Sequence, residues 1–239
     1  MGQDLIYAVS DVHSPRFLHM FRSSLKTLTE EPCFFIMAGD MIDKGKVEML
    51  KPIVKDLRSK WLETPLVAVF GNEEYHSVRE ELRGEYPEIT WLDDGTLKGN
   101  CGNLKIAIVG TQGALDRLTS WQARNMPWLL EDYLKKPDTL TKLISEARGE
   151  GYTVILVSHY ALTSENLKGE DPRAWPEMYS RKMEKLVKEL KPDIAIHGHA
   201  HNGKPYALVG GVPVYNVAIP LTKTIKKIKL AKGLLEFTS

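Results

Sequence analysis

Short apolar runs alternate with amphipathic stretches along most of the chain, and this alternation limits the fold more than any other feature. Three stretches carry apolar residues at helical spacing: Phe17–Leu28, Val47–Leu62 and Tyr179–Leu190. The apolar runs indicate strands buried on both faces, and they are Leu5–Ser10, Cys33–Ala38, Leu66–Phe70, Lys105–Val109, Thr153–Ser158 and Ile194–His197. The early order βαβαβα predicts an α/β fold.

The pattern changes after His201, where turn residues separate consecutive strand-like runs. We expect strands at Lys204–Val209, Val212–Val217, Thr224–Ala231 and Leu234–Phe237. Lysines alternate with isoleucines in the third run and continue to Lys232, which favours the solvated face of a strand over a nucleic-acid site. Two polar stretches, 111–126 and 162–176, are long enough to be functional loops. The 239 residues, 1–239, are expected to form a single domain.

Composition is that of a globular protein with no strong overall charge. The chain is 43% hydrophobic and 26% charged, and 32 Lys and Arg residues nearly balance 31 Asp and Glu residues. No global field therefore recruits nucleic acid or an anionic membrane. The first strand begins too early to leave room for a signal peptide, and no apolar stretch is long enough to span a membrane. We predict a cytoplasmic protein in which both cysteines, Cys33 and Cys101, are free thiols.

Metal-ligand side chains follow the predicted strands closely. They are Asp11, His13, Asp40, Asn72, His159, His199 and His201. Ligands usually bind at the carboxyl ends of strands in α/β sheets, so we expect these side chains to meet. Residues two apart in an extended segment point the same way, which suits the pairs Asp11 with His13 and His199 with His201. Glycines before Asp40, Asn72 and His199 allow the tight backbone that such turns need.

Five segments together resemble the blocks of the calcineurin-like metallophosphoesterases. They read SDVHSP, AGDMIDKG, FGNEE, VSHY and HGHAHNG, and they occur in the family's order from residue 10 to about residue 203. The resemblance implies a four-layer α/β/β/α sandwich in which two mixed β-sheets are flanked by helices. It also implies a binuclear metal centre: one ion held by Asp11, His13, Asp40 and His201, the other by Asp40, Asn72, His159 and His199, with Asp40 bridging.

Imidazole, carboxylate and amide ligands suit transition metals better than Mg²⁺ or Ca²⁺. We expect two divalent ions, Mn²⁺ first, with Fe, Zn²⁺ or Ni²⁺ as alternatives. Two such ions roughly 3.5–4 Å apart generate a bound hydroxide near neutral pH and clamp the phosphoryl oxygens during in-line attack. The function predicted is therefore phosphoester hydrolysis of a small-molecule substrate, without a protein nucleophile.

Glu73 departs from the family pattern, which has a histidine after the Gly-Asn pair. An imidazolium there would add positive charge to the metal site, whereas an ionised glutamate adds negative charge. A doubly charged monoester would lose more attraction than a singly charged diester, so we expect a bias toward phosphodiesters. His76 is a candidate to replace the missing imidazole, provided that a helix begins at Glu73 and puts both residues on one face.

Other residues have supporting roles in this interpretation. Asp43, Glu74 and His197 are expected to orient the ligands rather than bind metal. Arg117, Arg124 and Arg173 lie in the two long polar stretches and are candidates for gripping the substrate's phosphate or base. Two further functions stay open: a metal-binding scaffold of the same fold without turnover, which the loss of the histidine favours, and a DNA exonuclease. The latter is less favoured because no basic groove is visible in the composition. A homodimer also stays open.

Overall fold

A computed structural model of the protein describes residues 4–230. Within that range the strands are β1 (Leu5–Val9), β2 (Phe34–Ala38), β3 (Leu66–Val69), β4 (Ile89–Leu92), β5 (Gly95–Cys101), β6 (Leu104–Thr111), β7 (Thr153–Ser158), β8 (Ile194–His197), β9 (Tyr206–Val209), β10 (Val212–Asn216) and β11 (Lys226–Lys229). The α-helices are α1 (Leu18–Thr27), α2 (Lys51–Lys60), α3 (Arg79–Glu85), α4 (Ser120–Asn125), α5 (Leu129–Gly149), α6 (Arg181–Leu190) and α7 (Ile219–Thr222).

The strands form two mixed sheets. One has the order β11-β1-β2-β3-β4, in which the four strands from β1 to β4 are parallel and β11 pairs with β1 antiparallel. The other has the order β5-β6-β7-β8-β10-β9, with parallel pairing from β6 to β10 and antiparallel strands at both edges. Parallel strands place their carboxyl ends at one edge of a sheet, so the loops that follow them lie together.

Three apolar clusters hold these layers together. One lies between the two sheets and includes Ile36, Val69 and Ile108. A second packs α1, α2 and α3 on the outer face of the first sheet, and a third packs α5 and α6 on the outer face of the other sheet. The result is the α/β/β/α sandwich with two mixed sheets that the resemblance implies, and its inner strands bury both faces.

The predicted strands and helices of the first part of the chain are present, with ends that differ by a few residues. Thr153–Ser158 and Ile194–His197 match as predicted, and the helix predicted at 47–62 is a 3-10 turn, Val47–Leu50, followed by α2. Elements that the sequence reading did not foresee include β4, β5, α3 and the 21-residue α5. The stretch 111–126 also contains a helix, α4, because Thr119 and Gln122 form a capping box at its start.

The prediction of free thiols is wrong. Cys33 and Cys101 form a disulfide across a sequence separation of 68 residues, joining the segment before β2 to the last residue of β5. These two strands belong to different sheets, so the bond links the two layers covalently.

The lysine-rich segment forms a strand with a solvated lysine face, as predicted, and this strand is the edge of the first sheet. Lys227 and Lys229 of β11 are exposed, whereas Ile228 is buried against the layer between the sheets. The strand predicted at Leu234–Phe237 and the residue Lys232 lie outside the described residues. A search of the described helices finds none that is both long and apolar enough to cross a membrane.

Candidate metal centre

Loops at the carboxyl ends of both sheets bring seven predicted ligands toward one edge of the sandwich. Asp11 and His13 follow β1, Asp40 follows β2 and Asn72 follows β3; His159 follows β7, and His199 and His201 follow β8. Six of them fall into two groups whose ligand atoms lie within 4.8 Å of one another: Asp11, His13 and His201 in one, and Asp40, His159 and His199 in the other.

The two groups are adjacent, and His13 lies between their carboxylates. Its Nε2 is 3.8 Å from Asp11 Oδ1 and 3.8 Å from Asp40 Oδ2. In the first group, His201 Nε2 is 2.9 Å from Asp11 Oδ1. In the second, His159 Nε2 is 3.4 Å from Asp40 Oδ2 and 3.0 Å from Asn72 Oδ1. The amide oxygen of Asn72 therefore lies beside the Asp40 group, to which the resemblance assigns it.

Each aspartate uses one oxygen to hold the loops and presents the other to the histidines. Asp11 Oδ2 accepts hydrogen bonds from the Ser10 hydroxyl at 2.5 Å and from the His199 N–H at 2.9 Å. Asp40 Oδ1 accepts a hydrogen bond from the Glu73 N–H at 2.7 Å. These bonds fix each carboxylate so that its second oxygen faces the imidazoles.

The backbone at the site is strained, in a way that places these side chains. Asp11, His13, Asp40 and His199 all have positive φ angles, 57°, 41°, 51° and 68°. Non-glycine residues avoid this region, and such strain clusters at functional sites. A Cβ on Gly71 would overlap the carboxylate of Asp40, so the residue before Asn72 must be glycine to let the two loops meet.

The donor atoms fit divalent metal ions. Both ring nitrogens of His13 are buried and have no hydrogen-bond partner among the described residues, as expected for a side chain that binds metal. Burial alone would raise the pKa of Asp11, but the hydrogen bond from His201 and the charges of His159 and His201 hold its pKa well below the usual range. Asp11 is thus an ionised carboxylate, which is the form that binds a cation.

Glu74 is the buried anchor of the two loops that carry Asp40 and Asn72. Its Oε2 accepts hydrogen bonds from the N–H groups of Gly71 at 2.7 Å and Asp40 at 2.8 Å. Its Oε1 accepts from Met41 at 2.7 Å and Ile42 at 3.2 Å. Burial and the charge of Asp40 raise the pKa of Glu74 to about 7, while the backbone N–H groups oppose that rise.

A cavity of about 460 Å³ opens beside the Asp40 group. Asn72, Glu73 and His199 form its end at the candidate metal centre. The opposite wall comes from α4 and its neighbours and includes Trp121 and Met126. A phosphoester bound at the centre would therefore have room for its organic part.

Comparison with known proteins identifies the family. A family model described as calcineurin-like phosphoesterase matches residues 5–203. The chain belongs to the calcineurin-like phosphoesterase family. Members of this family generally hydrolyse phosphoesters with divalent metal ions, and this chain has two candidate metal-binding groups for that chemistry. Among curated proteins, none matches the chain significantly.

Solved structures show the same fold at low sequence identity. Phosphopantetheinyl hydrolase from Mycobacterium tuberculosis has a TM-score of 0.64 and 14% identity, covering 91% of this chain and 89% of that one. A dimetal phosphatase from Danio rerio has a TM-score of 0.57 and 10% identity, covering 92% of this chain and 89% of that one. A protein from Thermus thermophilus has a TM-score of 0.56 and 14% identity, covering 96% of this chain and 99% of that one. Identities this low support similarity of fold alone.

Glu73 stands where this family usually has a histidine. It lies between the candidate metal centre and the cavity. Its Oε2 accepts a 2.7 Å hydrogen bond from the Lys44 N–H, and its backbone carbonyl accepts one from Gly45. Its Oε1 lies 3.5 Å from Nδ2 of Asn72. The other end of that amide, Oδ1, faces His159. The glutamate is thus held in place beside the metal-facing loops.

His76 lines the same cavity, but not for the reason the sequence suggested. No helix begins at Glu73; a 3-10 turn, His76–Val78, begins at His76 itself. Its ring stands edge-on to Trp128 with centroids 5.0 Å apart. Burial and the charge of Arg79 lower the pKa of His76 to about 4, so the ring is neutral at pH 7 and is not an imidazolium acid there.

Other residues named from the sequence occupy varied positions. Asp43 Oδ1 is 3.7 Å from His13 Nδ1, on the side of the ring away from the other acids. His197 is fully buried, with Nδ1 2.8 Å from the Gly198 carbonyl. None of the three arginines lines the cavity. Arg117 pairs with Glu177, Arg173 pairs with Asp171, and Arg124 donates to the carbonyl of Ser120.

Two residues that support the candidate metal ligands were not predicted from the sequence. Ser10 donates to Asp11, and its place directly before that aspartate is the signal that would have suggested it. Glu170 accepts hydrogen bonds from the Asn202 N–H at 2.7 Å and its Nδ2 at 3.1 Å, which holds the loop that carries His201. No sequence pattern relates residue 170 to residue 202.

Proposed function

We propose that the protein is a binuclear metal-dependent phosphoester hydrolase biased toward phosphodiesters. The observation that carries this proposal is the arrangement of Asp11, His13 and Asp40. One imidazole nitrogen lies 3.8 Å from the free oxygen of each aspartate, so the two ligand groups form one continuous centre. Asp40 would bridge, because its Oδ2 faces histidines of both groups.

The residues of the chain would hold two ions and orient the ester. His13, His201 and Asp11 would bind one ion, and His159, His199 and Asn72 the other, with Asp40 shared. Two ions bound there would polarise the phosphoryl oxygens and activate a water near neutral pH. Asn72 and His199 also face the cavity, so they would lie beside the ester's organic part.

Glu73 supports the bias toward diesters. Its carboxylate is tied to the Lys44 N–H at the edge of the centre, and it puts negative charge where the family usually has an imidazole. A like charge at this position disfavours a doubly ionised monoester more than a singly ionised diester. His76, which is neutral at pH 7, does not offset that charge. An ester whose leaving group needs little protonation is the alternative substrate, since an ionised Glu73 is a poor general acid.

A scaffold without turnover is the second candidate function. It is favoured by the engagement of Glu73 with Lys44, which leaves no free general acid at this position. The strained and desolvated ligand groups argue against it, because a protein that binds no substrate gains nothing from such a costly arrangement.

A comparison of two nitrophenyl esters tests the proposal. The Mn²⁺-loaded protein is assayed with bis(4-nitrophenyl) phosphate and with 4-nitrophenyl phosphate, and we expect the higher kcat/KM for the diester. A clear preference for the monoester contradicts the diester bias. Bound metal with no turnover of either ester, nor of a wider set of cyclic and acyclic esters, supports the scaffold.

Several finer predictions accompany the proposal. Mn²⁺ is the expected metal, with Fe, Zn²⁺ or Ni²⁺ as alternatives, and the substrate is expected to be a small phosphoester rather than nucleic acid. A single domain, a homodimer and a cytoplasmic location also stay predictions. The disulfide argues against a cytoplasmic location, because disulfides are rare in reducing compartments.

A further inference from the structure

The cavity beside the Asp40 group has a wall that is mainly apolar and aromatic. Leu115, Leu129 and Tyr160 are buried on its inner side, and Met126 is half-buried near its mouth. Trp121 also lines the cavity and is 58% exposed, so a large flat ring stands at the entrance. A volume of about 460 Å³ is within the range of pockets that enclose small organic molecules.

The polar side chains of this wall are already paired within the protein. Gln112 Oε1 accepts from Arg79 at 2.8 Å, and its Nε2 donates to the Gly71 carbonyl at 3.1 Å. Gln122 Oε1 accepts from the Thr119 N–H at 3.0 Å, and its Nε2 donates to the Tyr160 hydroxyl at 3.2 Å. These hydrogen bonds hold the wall in shape. Because both amide groups are already paired, they gain little from a polar group on a ligand.

The charges at the cavity do not favour a second anionic group. Arg79 is the full cation among the described lining residues, and its Nη1 lies 3.3 Å from Asp93 Oδ2. The same guanidinium lies over the ring of Phe70, 4.6 Å from the centroid. Glu73 adds an acidic group to the lining and Glu177 is paired with Arg117, so an anion there would find no unpaired positive charge among the described lining residues.

We propose that this cavity binds a neutral, largely apolar organic group of the ester substrate, with Trp121 and Met126 as specificity-determining residues. This inference rests on the proposed function, since the phosphoryl group of the same ester would lie at the metal centre. Esters with a second phosphate or a carboxylate in that organic group would bind poorly. The substrate class is a phosphoester with a bulky uncharged substituent.

Calorimetry with two non-chromogenic diesters tests the proposal without requiring turnover. The Mn²⁺-loaded wild-type protein is titrated with diphenyl phosphate and with dimethyl phosphate, which carry the same charge and differ in apolar bulk. We expect diphenyl phosphate to bind roughly tenfold more tightly, from burial of one aryl group. Equal affinity for the two diesters would overturn the proposal.

Three variants locate the binding site. Trp121→Ala and Met126→Ala are expected to weaken diphenyl phosphate binding roughly 3- to 10-fold, with dimethyl phosphate binding unchanged. Leu62→Ala is the control, because Leu62 is 70% exposed, follows α2 and does not line the cavity. If Leu62→Ala weakens binding as much as Trp121→Ala, the preference comes from general surface hydrophobicity and the proposal fails.

The outcomes separate this inference from the proposed function. Tight, Trp121-dependent binding of diphenyl phosphate by a protein that hydrolyses no ester would support the cavity and reject the enzyme. Hydrolysis of bis(4-nitrophenyl) phosphate together with equal affinity for the two simple diesters would support the enzyme and reject the cavity.

Discussion

The backbone N–H of Glu73 donates a 2.7 Å hydrogen bond to Oδ1 of Asp40. The residue that departs from the family pattern therefore positions the expected bridging carboxylate through its main chain, while its side chain accepts from Lys44. A substitution of the Glu73 side chain can change the charge of the site and keep the bond to Asp40. This separation makes Glu73 suitable for testing how charge affects ester choice.

Replacing Glu73 with histidine should shift the preference toward monoesters. Removal of one negative charge, and addition of a positive one when the ring is protonated, should raise the ratio of monoester to diester kcat/KM by roughly tenfold or more. Glu73→Gln is the control, since it removes charge without an imidazole and should give an intermediate ratio. An unchanged ratio in both variants would show that charge at residue 73 does not select the ester.

Glu74→Gln should destabilise the loops that carry Asp40 and Asn72. The amide cannot replace a carboxylate that accepts four backbone N–H groups, and its own NH₂ would face donors. We expect a loss of roughly 2–4 kcal/mol in the free energy of unfolding and weaker metal uptake. Chemical denaturation of this variant is compared with Glu80→Gln, which alters an exposed ion pair with Arg83. Equal stability of the two variants would contradict the anchoring role.

His76 should make the protein less stable in mild acid. Because burial and Arg79 lower its pKa to about 4, the folded state resists a proton that the unfolded state accepts near the ordinary value of 6.5. The stabilising contribution is complete above 6.5 and is lost as the pH falls toward 4. We expect a small effect, since the ring is partly exposed.

Thermal melts of His76→Gln and wild type at pH 7 and pH 5 check this expectation. The variant lacks the titrating ring, so the difference in Tm between variant and wild type should move in favour of the variant at pH 5. His19→Gln, an exposed histidine on α1, serves as the control. A difference that is the same at both pH values would rule out the His76 contribution.

Removal of the disulfide should lower stability without altering the metal centre. The cysteines are 68 residues apart in sequence, and closure of a loop of that length is worth roughly 4 kcal/mol in the chain-entropy model. The double variant Cys33→Ser with Cys101→Ser is expected to unfold at lower denaturant concentration and to bind Mn²⁺ as wild type does. Thiol titration of the folded protein should find neither cysteine reactive before reduction; two free thiols would contradict the bond.

The local pattern of apolar residues was sufficient to predict the buried strands of the sheets. Buried parallel strands are apolar along their whole length, so β1, β2 and β3 could be located from the sequence, and the ligands after them followed. The edge strand β5 was not predicted, because its sequence, GTLKGNC, lacks a continuous apolar run. Helix α5 contains Pro137, which interrupts the pattern of a single long helix.

Contacts between distant segments could not be predicted in this way. The disulfide joins two sheets, and no spacing in the sequence brings Cys33 near Cys101. The cavity could not be predicted either, because its walls come from the loops after β3, β6, β7 and β8 and from α4. The candidate metal ligands could be named from the sequence because each follows a strand, whereas the orientation of Glu73 depends on Lys44, which is distant in the sequence.

Hydrolysis of bis(4-nitrophenyl) phosphate, followed during titration of the metal-free protein with Mn²⁺, tests the central claim most directly. Activity should be absent without metal and should reach its maximum at about two bound ions per chain, as expected for a two-metal site. Asp40→Ala, which removes the bridging carboxylate, should bind fewer ions and lose activity. Full activity at one ion per chain, or two bound ions with no hydrolysis, would contradict the proposed mechanism.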